Sequence, residues 1–427
     1  MTTGDFVSST THDQTLTPAR LWVMAIMAGV TVANLYYNQP LLNMMASTYG
    51  QPHAALGWVT MLTQFGYALG LLLFVPLADF VEGRRLVSQL LIAAFLALIL
   101  VSVSPTLWWL EAASLATGLF SVVPQVLLPM GANMADNRSR GRVVGIIMSG
   151  LLVGVLLART FSGFIGGTGG WRLVFEMAAL MMLIMLLVTR LALPPHPPRQ
   201  ARQKTRDVLR SLFPLIKEEP ELLRVALTGA SFFAAFSAFW TTLTFRLAEA
   251  PYYYHATTIG LFGLAGVAGA LAAPVAGRRA DQKDPRALVS LALALAVLVF
   301  ILVAFFSASL VVIMVAVVLL DLATNSAQIS NQSRIYALKP AARARSNTIY
   351  MVSYFVGGAL GSGVGSLAFH WHKMPAVAAF AIVFLVLGAL VHRWSLRRYA
   401  RPEALNPLQL ADEIGRKTSQ QEADSTE

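Results

Sequence analysis

A chain of 427 residues that is 56% hydrophobic and only 12% charged departs far from soluble domains, in which roughly a quarter of residues are charged. A net charge of +11 would point to nucleic acid only if the basic residues gathered on one soluble face; here they are scattered through alternate loops between apolar runs. Cysteine is absent, which excludes disulfides and thiolate metal sites.

Residues 1–20 are polar and lack a basic n-region or a small-residue cleavage site, so they read as a cytoplasmic tail rather than a signal peptide. Twelve apolar runs follow, each near the ~20 residues that cross a ~30 Å hydrocarbon core as a helix. They fall at 21–44, 55–79, 85–104, 107–134, 142–166, 171–193, 223–247, 257–279, 287–306, 309–333, 346–369 and 375–393. No succession of alternating ten-residue strands is present, which excludes a barrel. Alternate loops hold most of the Lys and Arg, and the opposite ones hold only Arg172, Arg246 and Lys373. Positive charge marks the cytoplasmic side, so both termini and the central linker are expected there.

The first run contains "ANLYYNQPLL", with Asn34, Tyr36, Tyr37, Asn38 and Gln39 just ahead of Pro40. Polar groups at membrane depth are tolerated where they line a wet cavity, and Pro40 would break the helix there and free carbonyls to accept hydrogen bonds. The fourth run carries Ser114, Thr117, Ser121 and Gln125, the seventh Ser237, Trp240, Thr241 and Thr244, the tenth Asp321, Asn325, Gln328 and Gln332. Each set lies on one helical face. The blander reading is interhelical glue, worth about 0.6 kcal/mol per contact. Runs 3, 6, 9 and 12 are almost wholly apolar and suit lipid. Runs 2, 5, 8 and 11 carry small residues at a spacing near four, among them Gly66, Gly70, Gly150, Gly154, Gly266, Gly357 and Gly361. Such positions admit close backbone approach and are expected to pack against the other half.

"PPHPPRQARQKTRDVLRSLFPLIKEEPELLR" divides the chain into bundles over 21–193 and 223–394, with a linker over 194–222 and a polar tail over 395–427. The halves match internally. "VPLADFVEGRR" (Val75–Arg85) corresponds to "GRRADQKDPR" (Gly277–Arg286), and Arg142, Met148 and Gly154 correspond to Arg345, Met351 and Gly357. Repeats of this kind mark secondary transporters, with the site near the midplane between the repeats. Asp79, Gly83, Arg84, Arg85, Asp281, Arg142 and Arg345 fall at cytoplasmic helix ends and read as a gate between the halves.

Two charges sit inside the spans. Asp321, mid-run, costs about 2.5–3.5 kcal/mol on insertion scales, and its protonation should follow the side to which a cavity opens. Arg159 cannot deprotonate and must find an acceptor. Counting from the span ends puts Arg159 roughly 10 Å deep and Asp321 about 10 Å deeper. Three readings of Arg159 stand: pairing with Asp321 in one state, binding an anionic substrate, or a local contact. Arg172 and Glu176, four apart, read as a local ion pair.

Over residues 21–394 the sequence resembles the major facilitator superfamily. The loop signature is present in divergent form as "PLADFVEGRRL", and "NLYYNQPLL", "SVVPQVLLP" and "LLDLATNSAQISNQ" are similar to its bacterial sugar-efflux or drug-efflux-like permeases. The resemblance implies an all-α membrane protein of twelve helices in two pseudo-symmetric six-helix bundles, working as a monomer by alternating access in a bacterial inner membrane. It implies a small-molecule substrate, export energised by a proton gradient, no cofactor, no metal and no nucleic acid. It departs at Ala158 and Arg159, which replace the Gly-Pro pair of the antiporter pattern, so uptake stays open as the alternative direction. A non-transporting sensor is the rival of another class. Enzyme chemistry is disfavoured: there is no H-E-x-x-H, no Walker loop, and Ser362 has no mid-membrane histidine.

Overall fold

The computed structural model describes residues 16–136, 139–195, 210–281, 284–338 and 342–399; the side chains of Asp79, 270–281 and 397–399 are outside the description. Every regular element among these residues is helical. In chain order they are α1 (Pro18–Ala33), α2 (Leu42–Tyr49), α3 (His53–Phe74), α4 (Gly83–Ser102), α5 (Leu107–Phe120), α6 (Val123–Met134), α7 (Arg140–Gly169) and α8 (Trp171–Ala192). After the linker come α9 (Leu212–Glu218), α10 (Pro220–Ala248), α11 (Ala256–Asp281), α12 (Pro285–Phe306), α13 (Leu310–Leu338) and α14 (Arg343–Tyr399). Among the described residues nine helical segments are long and apolar enough to cross a membrane.

Local chemistry sets the boundaries. Thr17 caps α1 through the Arg20 amide with Pro18 in the first turn, Glu82 accepts from the Arg84 and Arg85 amides at α4, and Asp284 accepts from the Arg286 amide at α12. Gly170, at φ +86°, turns α7 into α8 in a conformation that a side chain would strain. α14 is two helices joined by non-helical residues at His372 and Lys373, just ahead of Pro375. The first run departs from a continuous helix: α1 stops at Ala33, residues 34–38 form turns, and Gln39–Leu41 is a 3₁₀ turn. The break comes before Pro40 because the turns close as i→i−3 bonds, Leu35 to Val32, Tyr36 to Ala33 and Gln39 to Tyr36.

Helix pairings repeat on the two sides of the linker. α1 with α7, α3 with α5 and α4 with α8 in the first group correspond to α10 with α14, α11 with α13 and α12 with α14 in the second. The groups meet where α3 runs along α14 and α7 along α11. Helices α4, α8, α12 and the second limb of α14 expose large apolar side chains, including Leu96, Leu187, Leu298 and Leu387, as lipid-facing helices should.

The second, fifth, eighth and eleventh runs do pack across the groups, as α3 on α14 and α7 on α11, but most of the glycines singled out on them do not make that contact. Gly66 and Gly70 press on Leu115 and Leu119 of α5, Gly150 and Gly154 on Ala25 and Gly29 of α1, and Gly357 and Gly361 on Ala230 and Ala234 of α10. These contacts lie within one group, because helices of the same bundle also need close backbone approach to pack. Contact between groups is made instead by Gly163 with Ala256 and Gly260, Gly57 with Ser366, and Gly363 with Met61.

Candidate functional site

Arg159, on α7, and Asp321, on α13, are each 2% exposed. The Arg159 Nε donates to Gln39 Oε1 at 2.7 Å, and its guanidinium lies 4.0 Å from the ring centre of Trp240 and 5.0 Å from that of Tyr36. Asp321 is within electrostatic reach of Arg159, and the Trp240 indole N–H is near enough to act on its carboxyl without closing a hydrogen bond of full geometry. No ion pair closes: Nη1 and Nη2 of Arg159, Oδ2 of Asp321 and Nε1 of Trp240 are buried without a hydrogen-bond partner. Helix α11 lies against both residues. A methyl on Gly263 would be 3.1 Å from Arg159 Cβ, and one on Gly266 would be 3.2 Å from Asp321 Oδ2.

The interrupted first run supplies one wall. Tyr36 and Gln39 face Arg159, and the Gln39 carbonyl accepts from Thr244 of α10 at 2.8 Å, so a freed carbonyl does join the groups. The other polar residues of this run go elsewhere. Asn34 donates to Ser121 at 3.2 Å, and Asn38 donates to Thr63 at 3.2 Å, both contacts inside the first group. Tyr37 packs on Phe161, 5.8 Å between ring centres, and lines an apolar groove of about 580 Å³ between α1 and α7.

The remaining stripes are likewise divided. Thr241 donates to Ser362 at 3.1 Å, Gln125 reaches the Tyr67 hydroxyl, and Gln328 accepts from Tyr354 at 3.3 Å. Asn325 donates to its own helix at the Asp321 carbonyl, 2.8 Å away, and Gln332 faces the Met351 sulfur. Sequence reasoning missed Gln64, which exchanges hydrogen bonds of 3.1 and 3.2 Å with Ser237 across the groups. It also missed the aromatic cluster of Phe233, Phe236, Tyr354 and Phe355, in which Phe233 stacks on Tyr354 at 4.1 Å. Phe233, Phe236 and Trp240 recur at i, i+3 and i+7, a stripe that the sequence displays as plainly as the polar ones.

The first turns of α4, α7, α12 and α14 are basic, and the opposite end, where α3 begins and α10 stops, carries His53, Glu249 and Lys373. At that opposite end Glu249 binds Lys373 at 2.7 Å and lies 3.8 Å from His53, whose ring stacks on Phe245 at 4.6 Å. At the basic end Gly83 is buried, Arg84 donates to the Leu193 carbonyl at 3.3 Å, and Arg85, Arg142 and Arg345 are exposed. The side chains of Asp79 and Asp281 lie outside the described residues. Arg172 does not pair with Glu176: it donates to the Ser104 carbonyl at 3.0 Å and stacks on Trp171, an acceptor and a ring on its other side. A buried network also absent from the sequence reading links Glu221 to Arg334 at 2.6 Å, Arg224 at 3.3 Å and Ser395 at 2.5 Å.

Long apolar helices enclosing two ionisable side chains not joined in an ion pair define, with the family match, a multi-pass membrane protein of the transporter class. The chain belongs to the Major Facilitator Superfamily, whose model matches residues 21–333 and 227–417. This is a family of transporters rather than enzymes. Among its relatives is the "Uncharacterized transporter YgaY" of Escherichia coli O157:H7, 38% identical over 395 residues, covering 92% of this chain and 98% of the relative. The "Probable sugar efflux transporter" of Helicobacter acinonychis (strain Sheeba) is 26% identical over 359 residues, covering 82% and 88%. The fold is similar to the crystal structure of a bacterial homolog to the human lysosomal transporter Spinster, with TM-score 0.71 and 15% identity over 88% of this chain and 96% of that one.

Proposed function

We propose that this chain is a proton-coupled secondary transporter that moves a small molecule across a bacterial inner membrane by alternating access, with export as its direction. The single observation carrying the reading is the pair Arg159 and Asp321, each 2% exposed and not joined in an ion pair, between two groups of helices with repeating pairings. A buried carboxyl gains or loses its proton according to whether water reaches it, which is the coupling that a carrier requires.

Twelve spans, with both termini cytoplasmic, are consistent with the nine long segments, the shorter helices Pro18–Ala33 and Ala256–Gly269, and the bend that divides α14. The bundles over 21–193 and 223–394 would rock as units about the α3–α14 and α7–α11 seams, and the protein would act as a monomer without cofactor. Export is supported by the name of the Helicobacter relative. The second reading, proton-driven uptake, is favoured by the free Arg159 fork, since an anion seated there would enter beside a protonated Asp321.

The test begins with a toxicity and growth panel comparing deletion and overexpression strains, followed by flux of the strongest hit in proteoliposomes. Asp321→Asn should abolish the dependence of flux on an imposed pH gradient while leaving the protein folded. Unchanged proton dependence would remove Asp321 from the mechanism.

A further inference from the structure

Arg159 holds a charge that it cannot shed. Its Nε is satisfied by Gln39, and its guanidinium rests against Trp240 and Tyr36, yet both terminal nitrogens are buried without partners. Trp240 Nε1 on α10 and Asp321 Oδ2 on α13 close no hydrogen bond of full geometry either, though the indole N–H lies close enough to act on the Asp321 carboxyl. Buried polar atoms in folded proteins are paired in roughly nine cases of ten. Two unpartnered donors on one buried cation are therefore the mark of an absent acceptor. The two terminal nitrogens form a planar fork that matches a carboxylate or a phosphate in bidentate fashion. Among the described residues the ionisable groups that act on Arg159 are Asp321 and Tyr36, neither of them a cation that would balance a dianion. Tyr36, Phe236 and Trp240 surround the guanidinium with rings, the last two from α10.

We infer that the transported molecule is a monocarboxylate with an apolar or aromatic body, its carboxylate seated on the Arg159 fork while Asp321 holds a proton. The inference rests on the transporter reading above in its second form, uptake, because a proton that crosses with the substrate drives import and not export. Charge balance fixes the order of events. With Asp321 ionised, its carboxylate competes for the fork and repels a second anion. With Asp321 protonated, the substrate anion replaces it and the site is neutral again. Proton and substrate therefore load together and cross in the same direction.

The experiment uses the full-length protein in detergent and reads thermal stabilisation by benzoate, phenylacetate and lactate, each beside its amide, with glucose and tetraphenylphosphonium as neutral and cationic probes, at pH 5.5 and 8. At least one carboxylate should bind, more tightly at the lower pH, and its amide should not. Arg159→Lys keeps the charge and loses the fork, so it should weaken that binding about 100-fold; Arg159→Gln should do the same or worse, and gel filtration establishes that both fold. Asp321→Asn should bind equally at both pH values. In proteoliposomes an inward gradient of the bound carboxylate should acidify the lumen beyond the level of protein-free vesicles with wild type, and not with Asp321→Asn. Stabilisation by no carboxylate, or by an amide, glucose or the phosphonium equally in wild type and Arg159→Gln, overturns the proposal. Carboxylate binding lost in the Arg159 variants, with pH dependence kept in Asp321→Asn, supports the substrate class and overturns the proton assignment alone.

Discussion

Replacing Gly163 by alanine should open the end of the molecule that carries His53, Glu249 and Lys373. A methyl built on Gly163 lies 2.5 Å from the Ala256 carbonyl oxygen and 2.8 Å from the Gly260 α-carbon, both on the opposing helix α11. Close carbon–oxygen contacts between helices run at about 3.3–3.6 Å, so α7 and α11 would have to part by nearly 1 Å. The obstacle is backbone, and no side chain can rotate away. Overpacking of this kind costs about 1–3 kcal/mol, and it falls only on the state in which the two helices touch here. The balance between this state and one open at the same end should shift by about 5- to 150-fold. The chain has no cysteine, so spin labels can be placed on the exposed Gln51 and Tyr253, on opposite groups at this end, without removing native thiols. Electron–electron distance measurements in liposomes should show a longer population in Gly163→Ala. Gly145→Ala, where nothing lies within 4 Å of the added methyl, should leave the distribution unchanged. An unaltered distance distribution in Gly163→Ala, with unaltered thermal stability, would refute the claim that the α7–α11 backbone contact holds this end shut.

Glu221→Ala should lower unfolding stability by about 3–5 kcal/mol, because Arg334 and Arg224 would be left buried without their anion; thermal unfolding in detergent measures it. Gln39→Leu removes the acceptor for Arg159 Nε, a charge-assisted bond worth about 1.5–3 kcal/mol, and flux in proteoliposomes should fall about 10- to 100-fold with the protein still folded. Glu249→Gln should matter far less. The Glu249 and Lys373 side chains are 30% and 57% exposed, so the pair is worth about 1 kcal/mol at most, and the same spin-label distances should move by less than in Gly163→Ala.

The helical membrane class was legible because hydropathy over some twenty residues integrates many side chains, and no single error changes it. The polar stripes were legible as stripes, but their partners were not. Asn34 and Asn38 have the same composition signal whether they line water or bind Ser121 and Thr63, since helical spacing fixes a face and not what the face meets. Tyr36 and Tyr37 are neighbours in sequence, yet one turns to Arg159 and the other to Phe161, because the backbone unwinds after Ala33. The aromatic stripe of α10 was overlooked for a different reason: apolar rings at helical spacing look identical in a core and beside a buried cation. The glycines told the spacing of close contacts without saying which helix would fill them.

The depth of the two central charges shows where residue counting loses accuracy. Measuring inward from the span ends sets Arg159 and Asp321 about 10 Å apart along the membrane normal, and that treats α7 and α13 as straight and parallel. Helix α11 lies against both and supplies a common ruler. Gly263 abuts Arg159 and Gly266 abuts Asp321, so the offset along α11 is three residues, or about 4.5 Å. An arginine side chain spans that distance by rotating its own bonds. Exchange of the Arg159 fork between the Asp321 carboxylate and a substrate anion thus needs less travel along the membrane normal than residue counting implies. Loading of the site and rocking of the bundles can then be separate steps, with the α7–α11 contact at Gly163 governing only the second.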